Sequence, residues 1–255
     1  MGKSYVFVNQ KGGVGKTTSA INVGAYLAEM GNSVLLVDFD SQANLSSGVG
    51  VSTTDGKGGV YELISGLAPL EAVIRHTQVS GLSVIPATID LSGAAVELIE
   101  QKDRDFFLRK ALAPARERYD FILIDCPPSL GVLTLNGITA ADAILIPMQC
   151  EYFAMEGLTH LLQTIKRVQK NLNPHLNIGG IFFTMYDNRT RLAQQVVKEV
   201  SAYFKDKVFS TVIPRNVRLS EAPSHGLPIS KYDPSCQGAK SYKSLAQEVL
   251  NRAKQ

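Results

Sequence analysis

Short apolar runs rich in β-branched residues alternate with stretches of helical periodicity along the chain. The apolar runs predict seven strands, at residues 4–9, 33–38, 82–86, 119–125, 143–147, 178–185 and 208–213. Apolar residues at helical spacing predict helices near 16–30, 104–118, 155–172, 190–204 and 239–253. Buried strands that alternate with helices are typical of a parallel sheet covered on both faces. The pattern therefore predicts a doubly wound α/β fold with a mostly parallel sheet.

Composition narrows the class of protein further. With 255 residues, of which 45% are apolar, the chain can bury a sizeable core, and we expect one domain over residues 1–255. No apolar run approaches the length of a membrane span, so we expect a cytoplasmic protein. Three scattered cysteines fit reduced thiols better than disulfides or a zinc site. A formal net charge of +3 is too small to indicate a polyanionic partner by itself.

The stretch NQKGGVGKTTSA, residues 9–20, departs from the ordinary phosphate-binding loop in two ways. The pattern G-x-x-x-x-G-K-[ST] requires glycine where this chain has Gln10, and an additional lysine, Lys11, precedes a glycine pair. The stretch still joins a predicted strand to a predicted helix, where backbone N–H groups can surround phosphate oxygens. Lys16 can reach the outer phosphates, and the Thr17 hydroxyl can ligate Mg²⁺. We therefore predict a nucleotide site.

Acidic residues end two of the other predicted strands. Asp38 and Asp40 lie in LLVDFDSQAN (35–44), and Asp125 lies in YDFILIDCPPSLG (119–131). A carboxylate near the γ-phosphate can orient an attacking water, and a strand-end aspartate is where P-loop NTPases hold Mg²⁺ directly or through water. Each aspartate could instead cap a turn. The phosphate-binding loop upstream favours the catalytic interpretation.

Four stretches together resemble the ParA/Soj family of chromosome- and plasmid-partitioning ATPases, within the deviant Walker A group that includes MinD. They are KGGVGKTT, VDFDSQ, DCPPSLG and IPRNVRLSEAPSHG (213–226), and the resemblance spans essentially the whole chain. One departure stands in VDFDSQAN, where the family usually has proline before the glutamine and glycine after it. Ser41 and Ala43 occupy those places here, which changes the stiffness of the backbone and keeps both aspartates.

The resemblance implies a role for the additional lysine. In this family the lysine at the position of Lys11 reaches across an ATP-sandwich homodimer to the phosphates bound by the other subunit, as an arginine finger does. Gly12 would lie where the two chains approach most closely, so any side chain there should obstruct pairing. The resemblance also implies a set of ATP-binding residues: Lys11, Gly12, Gly13, Val14, Gly15, Lys16, Thr17, Thr18, Pro214 and Asn216.

Further site roles follow from the same resemblance. Asp40 should orient or activate the hydrolytic water, with Lys11 and Lys16 as the other catalytic residues, and Asp38 should support it. Thr17 should ligate Mg²⁺, and Asp125 should act on the ion through water. Pro214 and Asn216 match positions that hold the adenine, and Met185 would flank the base.

Partners are implied by the resemblance more than by charge. Arg189 in DNRT and Arg218 in NVRLSEAP match family positions implicated in nonspecific DNA binding, which needs phosphate contacts without base readout. We therefore expect double-stranded nucleoid DNA, a ParB/Spo0J-like protein that stimulates hydrolysis, and no membrane as partners.

Two other classes remain open at this point. A MinD-like membrane ATPase would need a basic amphipathic C-terminal helix. The stretch SYKSLAQEVLNRAKQ has Leu245, Val249 and Leu250 but a small polar end, which favours a packing helix. An electron-transfer ATPase of the nitrogenase iron-protein or iron–sulfur-scaffold type would need matched cysteines, and Cys126 has no suitable companion.

Overall fold

A computed structural model describes residues 1–152 and 154–254, and only the backbone of residues 95 and 99. Positions 153 and 255 of the predicted domain therefore lie outside the described residues. Within the described chain, one sheet contains seven strands: β1 Lys3–Phe7, β2 Val34–Asp38, β3 Arg75–His76, β4 Leu82–Ile85, β5 Phe121–Asp125, β6 Ala143–Gln149 and β7 Asn177–Thr184. Their order is β3-β4-β2-β5-β1-β6-β7, and every pairing except that of β3 with β4 is parallel. The predicted fold class is confirmed.

Helices cover both faces of this sheet. They are α1 Lys16–Glu29, α2 Asn44–Gly48, α3 Val60–Ile64, α4 Leu70–Val73, α5 Leu91–Glu97, α6 Phe107–Ala111, α7 Ala115–Arg118, α8 Val132–Ala140, α9 Ala154–Asn171, α10 Arg191–Phe204, α11 Val217–Glu221, α12 Ile229–Tyr232 and α13 Gln237–Ala253. Alternation along β1 divides the core, because Val6 and Val8 face one apolar layer while Tyr5 and Phe7 face the other. Leu245 and Val249 of α13 are buried in the second layer, as expected for a packing helix.

Two predicted elements are wrong in detail. The run 208–213 is not a strand: it meets β7 at one isolated bridge, Val208 with Ile181, and through the N–H groups of Phe209 and Ile213. Between these contacts the N–H groups of Ser210 and Thr211 donate to the Glu248 carboxylate of α13 instead, both at 2.8 Å. The predicted helix 104–118 is two short helices, α6 and α7. Pro114 lies between them, and a proline disfavours helical conformation at the residue before it.

The parallel order brings the carboxyl ends of β1, β2, β5, β6 and β7 to one edge of the sheet. In doubly wound sheets, ligands bind beyond this edge. The segments that follow these strands carry the predicted phosphate loop, both acidic stretches and the 213–226 stretch. The opposite edge, where the strands begin, carries a separate cavity.

Candidate functional site

The loop between β1 and α1 is held from two neighbouring strands. Thr184 at the end of β7 donates its hydroxyl to the Val14 carbonyl at 2.8 Å, and Gln149 at the end of β6 donates to the Gly13 carbonyl at 3.2 Å. Gly13 and Gly15 have φ values of 72° and 84°, a left-handed conformation that glycine adopts without strain. The loop thereby turns directly into α1, leaving the N–H groups of the first helical turn free to face an anion.

A cavity of about 780 Å³ opens over this loop. Its lining includes these predicted ATP-binding residues: Gly12, Gly13, Gly15, Lys16, Thr17 and Thr18. The Val14 side chain is buried beneath the loop and does not line this cavity. The Lys16 ammonium donates to the Lys11 carbonyl at 3.3 Å, and burial lowers the pKa of Lys16. A cationic group is thus held at the floor of an open space that is large enough for the phosphates of a nucleotide.

Thr17 and Asp125 form the acidic end of the cavity. The Thr17 hydroxyl donates to Asp125 Oδ2 at 2.6 Å, while Asp125 Oδ1 is buried without a hydrogen-bond partner among the described residues. Burial, with a smaller contribution from the Asp38 charge, raises the pKa of Asp125 to about 8. A buried, incompletely satisfied carboxylate beside a hydroxyl is a donor set that Mg²⁺ favours. These two residues therefore fit a magnesium ion, which would supply positive charge for the phosphate oxygens.

The two aspartates after β2 have different places. Asp40 lines the cavity, and its carboxylate accepts from the Gln42 N–H at 3.1 Å. Asp38 is fully buried and does not line it: its Oδ2 accepts from the Ser46 N–H at 2.8 Å and the Ser46 hydroxyl at 2.6 Å. Burial raises the pKa of Asp38 to about 6. Asp38 also accepts a long bond of 3.4 Å from the Asp40 N–H, so it holds the backbone from which Asp40 projects.

The unusual alanine of this loop has a structural consequence. Ala43 has a φ of 52° at the start of α2, a left-handed conformation that glycine tolerates better than alanine. The resemblance to the partitioning ATPases places a glycine at this position in other members of the family. The substitution therefore leaves the turn in place and introduces local backbone strain.

A second cavity of about 280 Å³ adjoins the first and shares Gly15 and Thr18 with it. Pro214, Asn216 and Met185, for which the sequence predicts contact with the adenine, line this second cavity. Asn216 also accepts from the Arg218 N–H at 3.0 Å and so caps α11.

Sequence reasoning missed several residues of the two cavities. Ser220 and Pro223 line both cavities, Thr184 and Tyr242 line the second, and Gln149 supports the loop. Gln149 and Thr184 end parallel strands, so the rule that such ends face the ligand could have identified them. Tyr242 lies on α13, far along the chain, and no local signal indicated it.

Lys11 lies outside the phosphate cavity of its own chain. Its ammonium contacts the Glu151 carboxylate and lies 3.2 Å from Gln149 Oε1, with about half of the side chain exposed. Gly12 beside it is exposed, and a Cβ built there would have its nearest neighbour, Pro128 Cβ, at 4.0 Å. Packing within this chain therefore does not require glycine at position 12.

The two predicted DNA-binding arginines are exposed and paired with carboxylates. Arg189 makes two bonds to Asp187, at 2.9 and 2.7 Å, and Arg218 lies 2.9 Å from Glu221 and 3.5 Å from Asp233. Neither arginine lines the nucleotide cavities.

Comparison with known proteins places the chain in a family. A family model described as an AAA domain matches residues 2–178. The chain is 65% identical to the chromosome-partitioning ATPase Soj of Treponema pallidum over 99% of this chain and 98% of that protein. It is 54% identical to the sporulation initiation inhibitor protein Soj of Bacillus subtilis, over 98% of each.

A solved structure extends the comparison to ligands. Cobyrinic acid a,c-diamide synthase from Mycobacterium smegmatis, with bound ADP and magnesium, superposes with a TM-score of 0.87 at 36% identity, covering 100% of this chain and 96% of that one. The adjoining cavities and the Thr17–Asp125 pair suit the same kinds of ligand, a nucleotide and Mg²⁺. Fold, site and sequence identity agree, and the chain belongs to the ParA/Soj family of chromosome-partitioning ATPases.

Proposed function

We propose that this ATPase forms an ATP-sandwich homodimer that binds DNA nonspecifically. The dimer drives chromosome or plasmid segregation together with a ParB/Spo0J-like partner that stimulates ATP hydrolysis. Residues 1–255 act as one ATPase domain, cytoplasmic and associated with the nucleoid. Within the described residues, no helix is both long and apolar enough to cross a membrane.

The observation that carries the proposal is the separation of the two loop lysines. Lys16 is buried at the floor of the phosphate cavity, whereas Lys11 points away from that cavity and rests against Glu151. Lys11 does not contact the phosphate cavity of its own chain, and the neighbouring Gly12 leaves open space for a second copy to approach. The Lys11 ammonium is therefore suited to reach the phosphate cavity of that second copy. In the dimer, Lys11 leaves Glu151 and adds positive charge at the partner's phosphates.

The remaining groups divide the chemistry of hydrolysis. Lys16 and the loop N–H groups bind the phosphates, Thr17 ligates Mg²⁺, and Asp125 holds the ion through water. Asp40 orients the attacking water at the open side of the cavity, while Asp38 fixes the backbone of Asp40. Pro214, Asn216 and Met185 hold the base. Arg189 and Arg218 contact DNA phosphates.

The decisive experiment measures ATP hydrolysis with DNA, with a cognate ParB-like protein, and with both. We expect strong stimulation only with both, because DNA collects the dimers on which the partner acts. Asp40→Ala is the informative variant: it should assemble as an ATP-bound dimer on DNA and hydrolyse ATP very slowly, since phosphate, Mg²⁺ and dimer contacts remain. Stimulation by lipid vesicles in place of DNA, or a monomeric Asp40→Ala protein at saturating ATP, would contradict the proposal.

A further inference from the structure

A cavity of about 370 Å³ lies at the edge of the sheet opposite the nucleotide site, where the strands begin. Its walls come from Ser4 of β1 and Ile122 of β5, from α6 and α7, from the end of α8 and the two residues after it, and from the loop after α9. Its lining includes Ser4, Arg109, Arg116, Ile122, Ala141 and Asp142. This volume lies at the lower end of the range of small-molecule sites.

Two buried polar atoms at this cavity lack a hydrogen-bond partner within the described parts of the chain. They are the hydroxyl of Ser4, a residue that is only 1% exposed, and Nε of Arg116. Ser4 pairs with Ile122 in the sheet, and both lie on the face that packs under α6 and α8, so the Ser4 hydroxyl points to the side on which the cavity lies. Unpaired buried donors are uncommon in folded proteins and call for a partner.

One carboxylate joins the two residues that carry these atoms. Asp142 Oδ2 accepts from the Ser4 N–H at 2.8 Å, and both Asp142 oxygens lie 2.7 Å from Arg116 Nη2. The wall behind them is rigid, since the Asn173 side-chain amide donates to the carbonyl of Ala141 at 2.8 Å and to two further carbonyls of the same turn. The donors are therefore held in place before any ligand arrives.

Charge and polarity define the kind of ligand. Two arginines of the lining, Arg109 and Arg116, face a single carboxylate, Asp142, so positive charge predominates among these side chains. The rest of the lining is largely apolar, from Leu112, Ala113, Ile122, Ala140 and Ala141. A lining in which positive charge predominates, with two unpaired hydrogen-bond donors, suits a carboxylate, and the apolar wall suits a short hydrocarbon tail.

We propose that this cavity is a binding site for a small monocarboxylate with an apolar tail. The carboxylate accepts hydrogen bonds from the Ser4 hydroxyl and Arg116 Nε–H, Arg109 closes over it from the exposed side, and the tail packs on Ile122. The site lies apart from the nucleotide cavities and shares no lining residue with them.

The test is an NMR titration of amide shifts with butyrate as the probe. The protein is saturated with ADP and Mg²⁺ so that the phosphate loop cannot take up the anion. We expect saturable shifts at Ser4 and Asp142 with butyrate, and none with butyramide, its uncharged counterpart. Shifts that never saturate, equal effects of butyramide, or saturation by inorganic phosphate but not by butyrate would each overturn the proposal.

Ser4→Ala provides the matched variant. Because the Ser4 hydroxyl has no hydrogen-bond partner among residues 1–152 and 154–254, the variant should keep the thermal midpoint of the wild type while binding butyrate about tenfold more weakly. Ser83→Ala removes a buried strand hydroxyl outside the cavity and should leave butyrate binding unchanged. Equal butyrate affinity of wild type and Ser4→Ala would show that the Ser4 hydroxyl binds water only, and would overturn the assignment.

Discussion

Lys11 and Lys16 lie on one short loop in opposite environments. Lys16 is 7% exposed at the floor of the phosphate cavity, and burial lowers its pKa. Because its ammonium group is already partly desolvated, its attraction for an anion that reaches it is stronger than in water. Lys11 is solvated and paired with Glu151. The first lysine is therefore placed to act on the nucleotide of its own chain, and the second is available to another chain.

Substitution should separate these two roles. Lys16→Gln should weaken ATP binding by about 1.5–3 kcal/mol, the range for a hydrogen bond to a charged group, even in dilute monomer. Lys11→Ala should bind ATP as the monomer with wild-type affinity and lose dimer-dependent turnover. Titration with a slowly hydrolysed ATP analogue, beside turnover measured over a range of protein concentrations, distinguishes the two. Equal ATP affinity of wild type and Lys16→Gln would refute the assignment of Lys16.

Asp125 should make the stability of the nucleotide-free protein depend on pH. Its pKa is raised to about 8 in the folded chain, above the ordinary value of 3.8, so the folded state retains a proton that the unfolded state releases. The stabilisation from this proton is fully present below about pH 4 and is lost as pH rises through about 8. Asp125→Asn cannot release that proton, so its thermal midpoint should exceed that of wild type increasingly towards pH 8.

Adding Mg²⁺ with ADP should make wild type, rather than Asp125→Asn, the variant with the higher thermal midpoint at pH 8. The ionised Asp125 is the form that interacts with the ion, so wild type should gain stability from the pair at pH 8 and Asp125→Asn should gain less. Parallel melting curves with and without Mg²⁺ and ADP are the measurement. If the thermal midpoints of wild type and Asp125→Asn without ligand changed identically with pH, Asp125 would be ionised in the folded protein.

Elements differ in how well the sequence predicted them. Strands such as β2 and β5 are buried and apolar up to their final aspartate, so their own residues identify them. The run 208–213 is also rich in β-branched residues, but Glu248 of a distant helix accepts hydrogen bonds from two of its N–H groups. Short helices such as α11 depend on capping by Asn216 and on packing, which periodicity over five residues cannot reveal.

The candidate site could be located from the sequence for the same reason as the strands. The phosphate loop and both acidic stretches are local sequences that follow strand ends, and the structure brings Lys16, Thr17, Asp40 and Asp125 together. What the sequence alone did not reveal is pairing across the chain, such as Lys11 with Glu151 or Arg218 with Asp233. Such pairs depend on the folded positions of loops.

Gly12 gives a prediction for the loop as an element. Its Cβ position is open and its φ is not in the left-handed region, so Gly12→Val should fold and still bind ATP as a monomer. The valine should block close approach of a second loop and abolish the ATP-dependent dimer. Gly93→Val, at an exposed helical glycine outside the nucleotide cavities, is the control and should still dimerise. Light scattering in the presence of ATP measures the molar mass of both variants. A normal ATP-dependent dimer of Gly12→Val would contradict the sandwich arrangement.

At the scale of the whole molecule, a net charge of +3 is modest for binding a duplex. Pairing two copies doubles the positive groups that one DNA segment can meet, so affinity should appear only with the ATP dimer. Arg189 follows β7 and Arg218 lies in α11, on the same side as the nucleotide edge. Their pairing with carboxylates means that DNA phosphates must compete with Asp187 and Glu221 for them.

Arg189→Ala and Arg218→Ala should each weaken DNA binding on all sequences alike. Each substitution that removes a phosphate interaction should flatten the salt dependence by roughly one unit of slope, because fewer counterions are released. ATP binding and dimerisation should persist, since neither side chain lines the nucleotide cavities. Lys3→Ala, at the opposite edge of the sheet, is the matched control. Filter binding across salt concentrations is the measurement, and wild-type DNA affinity in both dimeric arginine variants would exclude these residues from the DNA interface.

The open position of Gly12 and the outward direction of Lys11 have a consequence for genetics. In cells that make two versions of the protein, a Gly12→Val chain cannot pair with either version, so wild-type dimers persist and the defect should be recessive. A Lys11→Ala chain can still pair, and each mixed dimer then contains one site without its lysine from the partner. Neighbouring substitutions in one loop should therefore differ in dominance, with Lys11→Ala impairing segregation in the presence of the wild-type gene and Gly12→Val leaving it intact.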